Sequence, residues 1–154
     1  MKDMIYGDNG GKIVLLDYGT YEGYDYAILN IRGSHPCCYV KLPFDHRLAD
    51  DALEDYDSLG IRCHGGITYA EKYLRIGGYI SGNEWVEEVK DESGVWIGWD
   101  YAHAGDYIYY TSSIYTLSLG EDTKYTTEEL LKDVKNVINQ IVEGDKNGDE
   151  TSEL

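Results

Sequence analysis

Two short segments hold most of the side chains able to do acid–base or ligand chemistry. One is Cys63-His64-Gly65-Gly66-Ile67-Thr68. The other is Trp96-Ile97-Gly98-Trp99-Asp100-Tyr101-Ala102-His103-Ala104-Gly105-Asp106. Two of the chain's four histidines lie in them, each beside glycine or alanine. Small neighbours let backbone come close to a ligand or to another segment. Asp100 and His103 stand at i and i+3, so a helical turn would put them on one face. Together with Thr68 and Asp106 they define a candidate ligand site of His64, Thr68, Asp100, His103 and Asp106. Imidazole and carboxylate in such a group can hold a divalent metal. They can equally move protons, with His64, His103 and Asp100 as candidate catalytic residues, since imidazole titrates near neutral pH. Nothing in the sequence demands a cofactor, and a divalent metal is compatible with it. A purely structural alternative stands beside these readings. Asp100 caps a turn, and His64 bonds to it and ties two strands together.

Other signals are weaker. Cys63 directly precedes His64, and on a strand the two side chains would diverge, which disfavours a Cys–His nucleophile. Ser34-His35 reads as turn chemistry. Gly7 to Gly11 lacks the Lys-Ser/Thr of a phosphate-binding loop. Asp145 to Asp149 has glycine at the fourth position, where a calcium loop needs it at the sixth.

Charge narrows the choice. The 154 residues contain 13 Lys and Arg against 29 Asp and Glu, a net charge of −16. Such an excess argues against direct nucleic-acid binding and against attachment to anionic lipid. It favours basic partners, cations or neutral ligands. No run of apolar residues is long enough to span a bilayer, and the start of the chain carries no apolar leader pattern, so a cytoplasmic location is expected. Cys37, Cys38 and Cys63 do not form a disulfide framework or a zinc ribbon.

Tyrosine occurs 16 times against one phenylalanine. Tyr21 and Tyr24 sit among Asp17, Glu22 and Asp25. Asp50, Asp51, Glu54 and Asp55 make a second acidic patch. Carboxylates spread over a rigid face can imitate a phosphate backbone, with tyrosines as anchors of low rotamer entropy. Asp50, Asp51, Glu54, Asp55, Tyr21 and Tyr24 are therefore candidate partner-binding residues. An acidic surface that merely keeps the chain in solution is the plain alternative.

The elements that must position these groups read as an α+β fold. Lys12 to Tyr18, Tyr26 to Ile31 and Cys37 to Leu42 are expected strands, the last two joined in a hairpin. Pro43 to Gly60 reads as a loop with a turn of helix. Ile61 to Tyr69 reads as a strand broken at Gly65-Gly66. Val95 to Asp100 reads as a central strand, with less definite elements at Trp85 to Val89 and Tyr107 to Tyr115. Thr126 and Glu129 form a capping-box pattern. Leu130, Val134, Val137, Ile138 and Ile141 then lie on one helical face. The helix is expected from Thr127 to about Glu143, with Gly144 as C-cap. The outcome is one α+β domain over 1–143. A mainly antiparallel sheet carries the C-terminal amphipathic helix on one face, and an acidic, disordered tail covers 144–154.

The pair HGGIT and WIGWDYAHAGD, with CCYVKLPFDH before and the C-terminal helix after, resembles a family of small proteins encoded by tailed phages and prophages. The similarity spans roughly Tyr26 to Val142. This chain has Trp99 where the family pattern has Phe, and Arg47 where it has Pro after the histidine at His46. The resemblance implies one polar site at His64, Asp100, His103 and Asp106, and a mobile-element origin. Small acidic phage proteins are often counter-defence factors, anti-CRISPR proteins among them, an argument by association. The expected function is thus inhibition of a basic host defence protein, such as a CRISPR effector, through the acidic, Tyr-rich face in the bacterial cytoplasm. The alternative is a small metal-dependent hydrolase or nucleotide-binding protein using the His64 site.

Overall fold

The capping box forms as expected and starts the longest element. Thr126 N–H donates to Glu129 Oε1 at 3.2 Å, and Glu129 N–H donates back to Thr126 Oγ1 at 3.2 Å. These bonds satisfy donors that the first helical turn leaves open. The computed structural model describes residues 1–77, 88–110 and 122–152. Its strands are β1 (Ile13–Tyr21), β2 (Tyr24–Ile31), β3 (His35–Leu42), β4 (Tyr69–Glu71), β5 (Leu74–Gly77), β6 (Glu88–Asp91) and β7 (Val95–Asp100). Helix α1 covers Ala49–Glu54, a 3-10 turn follows at Tyr56–Leu59, and α2 covers Thr127–Ser152.

Five strands form one antiparallel sheet in the order β1-β2-β3-β7-β4, and β5 pairs with β6. The late strand β7 therefore inserts between β3 and β4. That insertion sets the end of β7, at Asp100, beside Cys37 of β3. Alternation then sorts the side chains. Ile28, Cys38, Val40, Ile97 and Trp99 pack on one face against Leu130, Val134, Val137, Ile138 and Ile141 of α2. Every member of the predicted apolar stripe on α2 is buried. The opposite face is buried as well, with Ala27, Leu29, Tyr39 and Trp96 packed with Leu74 of β5.

Three expectations change. The stretch from Ile61 to Thr68 is not a strand, because Gly65 and Gly66 take φ of 71° and 81° and turn the chain. Arg62 pairs with a side chain instead: Gln140 Nε2 donates to Arg62 O at 2.7 Å, and Arg62 N–H donates to Gln140 Oε1 at 2.8 Å. Pro43 to Gly60 contains the α1 helix and the 3-10 turn rather than mostly loop. Helix α2 does not end at Gly144 but continues to Ser152. Gly144 is a mid-helix contact point where a Cβ would lie 2.3 Å from an Arg47 guanidinium nitrogen. The expected elements at Trp85 to Val89 and Tyr107 to Tyr115 lie partly outside the described residues; within them, 88–91 is β6 and 107–110 has no regular structure.

Candidate functional site at the end of strand β7

Strand β7 stops at Asp100 because the chain turns, and the turn is held by that carboxylate. Asp100 Oδ1 accepts from Ala102 N–H at 3.1 Å, and Asp100 Oδ2 accepts from the Thr68 hydroxyl at 3.1 Å. A second turn follows, closed by Asp106 N–H to His103 O at 2.9 Å. Residues 105–107 then run beside Thr123, with Thr123 N–H on Gly105 O at 2.8 Å and Tyr107 N–H on Thr123 O at 2.9 Å. This pairing brings Tyr125 over Asp106.

Asp106 is the centre of the site. Its side chain is 2% exposed. Oδ1 accepts from Tyr125 OH at 3.0 Å, and Oδ2 accepts from His103 N–H at 3.0 Å. His64 Nε2 stands 3.0 and 2.8 Å from the two oxygens. A buried carboxylate is tolerated only with such partners. His64 lies flat on Tyr101, with ring centroids 4.5 Å apart and 13° between planes. Tyr101 is fixed in turn: Trp99 Nε1 donates to its hydroxyl at 3.1 Å, and that hydroxyl donates to Asp133 of α2 at 2.6 Å. Burial, with Asp133 adding to it, keeps the Tyr101 hydroxyl protonated well beyond the ordinary phenol range. Burial and Asp106 likewise push Tyr125 up to about 12. Both phenols therefore act as hydrogen-bond donors at neutral pH.

With Asp106 accepting at Nε2, the His64 hydrogen sits on Nε2 and the lone pair on Nδ1. Among the described residues Nδ1 has no hydrogen-bond partner, and the side chain is 31% exposed. A cavity of about 360 Å³ opens beside it, lined by Arg62, Cys63, His64, Asp133 and Asn136. The backbone of Arg62 is bound to Gln140, while its guanidinium meets no carboxylate among the described residues. His103 repeats the arrangement loosely. Its Nε2 lies 3.1 Å from Asp100 Oδ1, but the alignment does not make a hydrogen bond. The His103 ring packs on Gly65, where a Cβ would come within 2.2 Å of Nε2. The two imidazoles are 6.0 Å apart between centroids.

All five nominated residues thus meet at one end of the sheet, but the pairing differs from expectation. His64 bonds to Asp106, and Asp100 serves the turn and Thr68. Tyr101, Tyr125 and Asp133 belong to the site and were not nominated; Tyr101 lies inside the WIGWDYAHAGD motif, which was its only signal. Burial pushes the Cys63 thiol up to about 11, so it stays protonated and is a poor nucleophile. Among the described residues, no three His, Cys, Asp or Glu side chains are placed to hold a metal ion.

The nominated surface residues separate into two groups. Asp50, Asp51, Glu54 and Asp55 are exposed on α1 and the turn after it. Tyr21 and Tyr24 are half-buried and engaged by α2: Tyr21 OH donates to Asn139 at 3.2 Å, and Tyr24 OH donates to Asp145. They tie the β1–β2 hairpin to the helix and are not free anchors.

The chain is thus an α+β protein with a buried carboxylate presenting a partly exposed imidazole. No family model, curated protein or solved structure matches it. Among the described residues no helix is long and apolar enough to cross a membrane.

Proposed function

We propose that the chain binds a small polar ligand against His64 and exchanges a proton with it. The observation that carries this reading is His64 lining a cavity while a buried Asp106 holds Nε2 and, among the described residues, no group bonds to Nδ1. A carboxylate behind an imidazole fixes its tautomer and stabilises the imidazolium that forms when Nδ1 takes a proton. Tyr101 beneath the ring and Tyr125 on the carboxylate keep both groups oriented. Arg62 lines the same cavity and supplies a cation beside the Asp133 carboxylate, which Tyr101 already engages, so a nucleotide or other phosphate-bearing molecule is the class to test.

Native mass spectrometry and NMR of the reduced protein with a panel of nucleotides and cyclic dinucleotides test the reading. His64→Ala and His64→Gln are expected to lose the ligand while keeping the fold. If neither wild-type His64 nor Arg62 responds to any member of the panel, the reading fails.

The acidic segment supports a second reading. Asp45, Asp50, Asp51, Glu54, Asp55 and Asp57 are all exposed, and among the described residues none is within ion-pair distance of a Lys or Arg. Such a face would dock on the basic channel of a nucleic-acid-processing host protein, as a counter-defence factor of phage origin does. Binding to such a partner should weaken steeply with salt and on reversing Asp50, Asp51, Glu54 and Asp55 to lysine. Indifference to both would remove this reading.

A further inference from the structure

The turn between β2 and β3 uses an unfavourable residue. Arg32 and Gly33 have φ of 58° and 71°, the left-handed pair of a tight hairpin turn. Gly33 has a steric reason, since a Cβ there would lie 1.7 Å from the carbonyl oxygen of Gly7. Arg32 has none. Asn or Gly takes such a φ at lower cost than other side chains. The Arg32 backbone is pinned by its N–H on Lys12 O at 2.8 Å, and its guanidinium has no protein partner among the described residues. An unpaired arginine on a strained backbone is a reason to look for a ligand.

A cleft of about 360 Å³ lies there, lined by Arg32, Ser34, His35, Ala102 and Tyr109 among others. None of its lining residues is Asp or Glu, although the chain has 29 of them. The cavities beside His64 and under the N-terminal segment each include a carboxylate. The cleft is also built on fixed backbone. Tyr101 N–H donates to Pro36 O at 3.2 Å, and Tyr109 N–H donates to Ser34 O at 3.0 Å. Ser34 Oγ and His35 Nδ1 lie 3.1 Å apart. Burial holds the His35 ring below the ordinary imidazole range, against the pull of Asp100 and Asp106 from beyond the lining. A neutral ring sharing one hydrogen bond with Ser34 leaves one donor free between them, whichever tautomer forms.

We infer that this cleft is an anion site for the phosphoryl group of a small organic phosphate, held by the Arg32 guanidinium and by the Ser34–His35 pair. Donors from separate side chains suit a tetrahedral anion, and the Tyr109 ring offers an apolar wall for the rest of the molecule. The site is distinct from the His64 cavity and does not depend on a ligand there.

The test follows the Ser34, His35 and Ala102 backbone amides by NMR at constant ionic strength. The additions are inorganic phosphate, adenosine monophosphate, acetate and chloride. Saturable shifts with phosphate and the nucleotide are expected, but not with acetate or chloride. Arg32→Asn keeps the left-handed turn, so its melting temperature should be equal or higher. Its affinity should fall about tenfold or more, the usual loss with a charge-assisted hydrogen bond. Equal binding by Arg32→Asn, equal shifts with acetate or chloride, or no saturable shift at these amides would each overturn the site. His64→Ala should bind phosphate here as wild type does, which separates this result from the reading at His64.

Discussion

Among the described residues two histidine–aspartate pairs are hydrogen-bonded, and they differ in one nitrogen. In the first, His46 Nε2 is 2.9 Å from Asp145 Oδ1. Its Nδ1 accepts the Leu48 N–H at 3.1 Å, and its side chain is 9% exposed. Arg47 Nε donates to the same carboxylate at 2.8 Å, and Tyr24 adds its hydroxyl. Every polar atom of His46 is used. The pair closes the C-terminal half of α2 onto the loop before α1. In the second pair, His64 meets a better buried carboxylate, but its Nδ1 is left open beside a cavity. The same two residue types make a clamp in one place and a candidate site in the other. What distinguishes them is whether the second ring nitrogen is already satisfied.

The difference can be broken most severely at Asp106. Asp106→Ala removes the acceptor for His64, Tyr125 and the His103 amide at once. Stranding three donors in a buried site should cost roughly 3–5 kcal/mol, by analogy with breaking a buried pair. For a chain of this length that means a fall in melting temperature of several degrees for each kcal/mol, about 2–4 °C. A loss below one degree in thermal denaturation would mean that the carboxylate does not organise the site.

Gly65→Ala comes next. The backbone φ of 71° disfavours any side chain, and the new methyl would meet His103. A loss of about 1–2 kcal/mol from the backbone alone is expected, plus the displacement of His103. The chemical shifts of the His103 ring would report that displacement, and an unmoved ring would contradict the packing described.

The clamp should respond more mildly. Asp145→Asn removes a partly exposed contact, so it should cost about 1 kcal/mol. The effect should be concentrated in faster amide exchange over the last turns of α2. Acid should do the same to the wild type. Burial opposes the charge on Asp145, but hydrogen bonds from Tyr24 and Arg47, and the nearby His46, outweigh it and hold the carboxyl below its ordinary range. The stabilisation is therefore complete above the unfolded-state value and is lost as the pH falls through the lowered folded value. Exchange in the C-terminal half of α2 that stayed constant through this acid range would show that the clamp carries no linkage.

The smallest effect on stability is expected at His64. His64→Ala leaves Asp106 with Tyr125 and the His103 amide, and it removes a ring already partly in water. About 1 kcal/mol or less should be lost, the net worth of one hydrogen bond whose acceptor keeps its other donors, while ligand binding at the cavity disappears. A His64→Ala variant as unstable as Asp106→Ala would place His64 with His46, as a structural residue.

Much of this architecture was legible because it is written among near neighbours. Thr126 and Glu129 are three residues apart and cap one another as their spacing requires. The five apolar positions from Leu130 to Ile141 fall on one face of a 3.6-residue period, and all are buried. The β2–β3 hairpin and strand β7 are short-range patterns as well. The helix end was misplaced because Gly144 carries an ordinary stop signal, and only Arg47, distant in sequence, covers that glycine. Ile61 to Tyr69 departs from the expected strand because Arg62 bonds to the distant Gln140 side chain and Gly65-Gly66 turn the chain.

The site shows the same division. Residue types and small spacers drew attention to His64, Thr68, Asp100, His103 and Asp106, and these do converge. Which carboxylate serves which imidazole was beyond that signal, since Asp100 and Asp106 flank His103 almost equally along the chain. The choice follows from β7 inserting between β3 and β4, and from residues 105–107 running beside Thr123. That route buries Asp106 under Tyr125 and leaves Asp100 to hold the turn. The sequence by itself determined the capped helix, its buried face and the pool of polar groups, because those depend on periodicity and local hydrogen bonding. The tertiary structure alone decided the pairing, the burial of Asp106 and the open nitrogen of His64, because each depends on contacts between residues tens of positions apart.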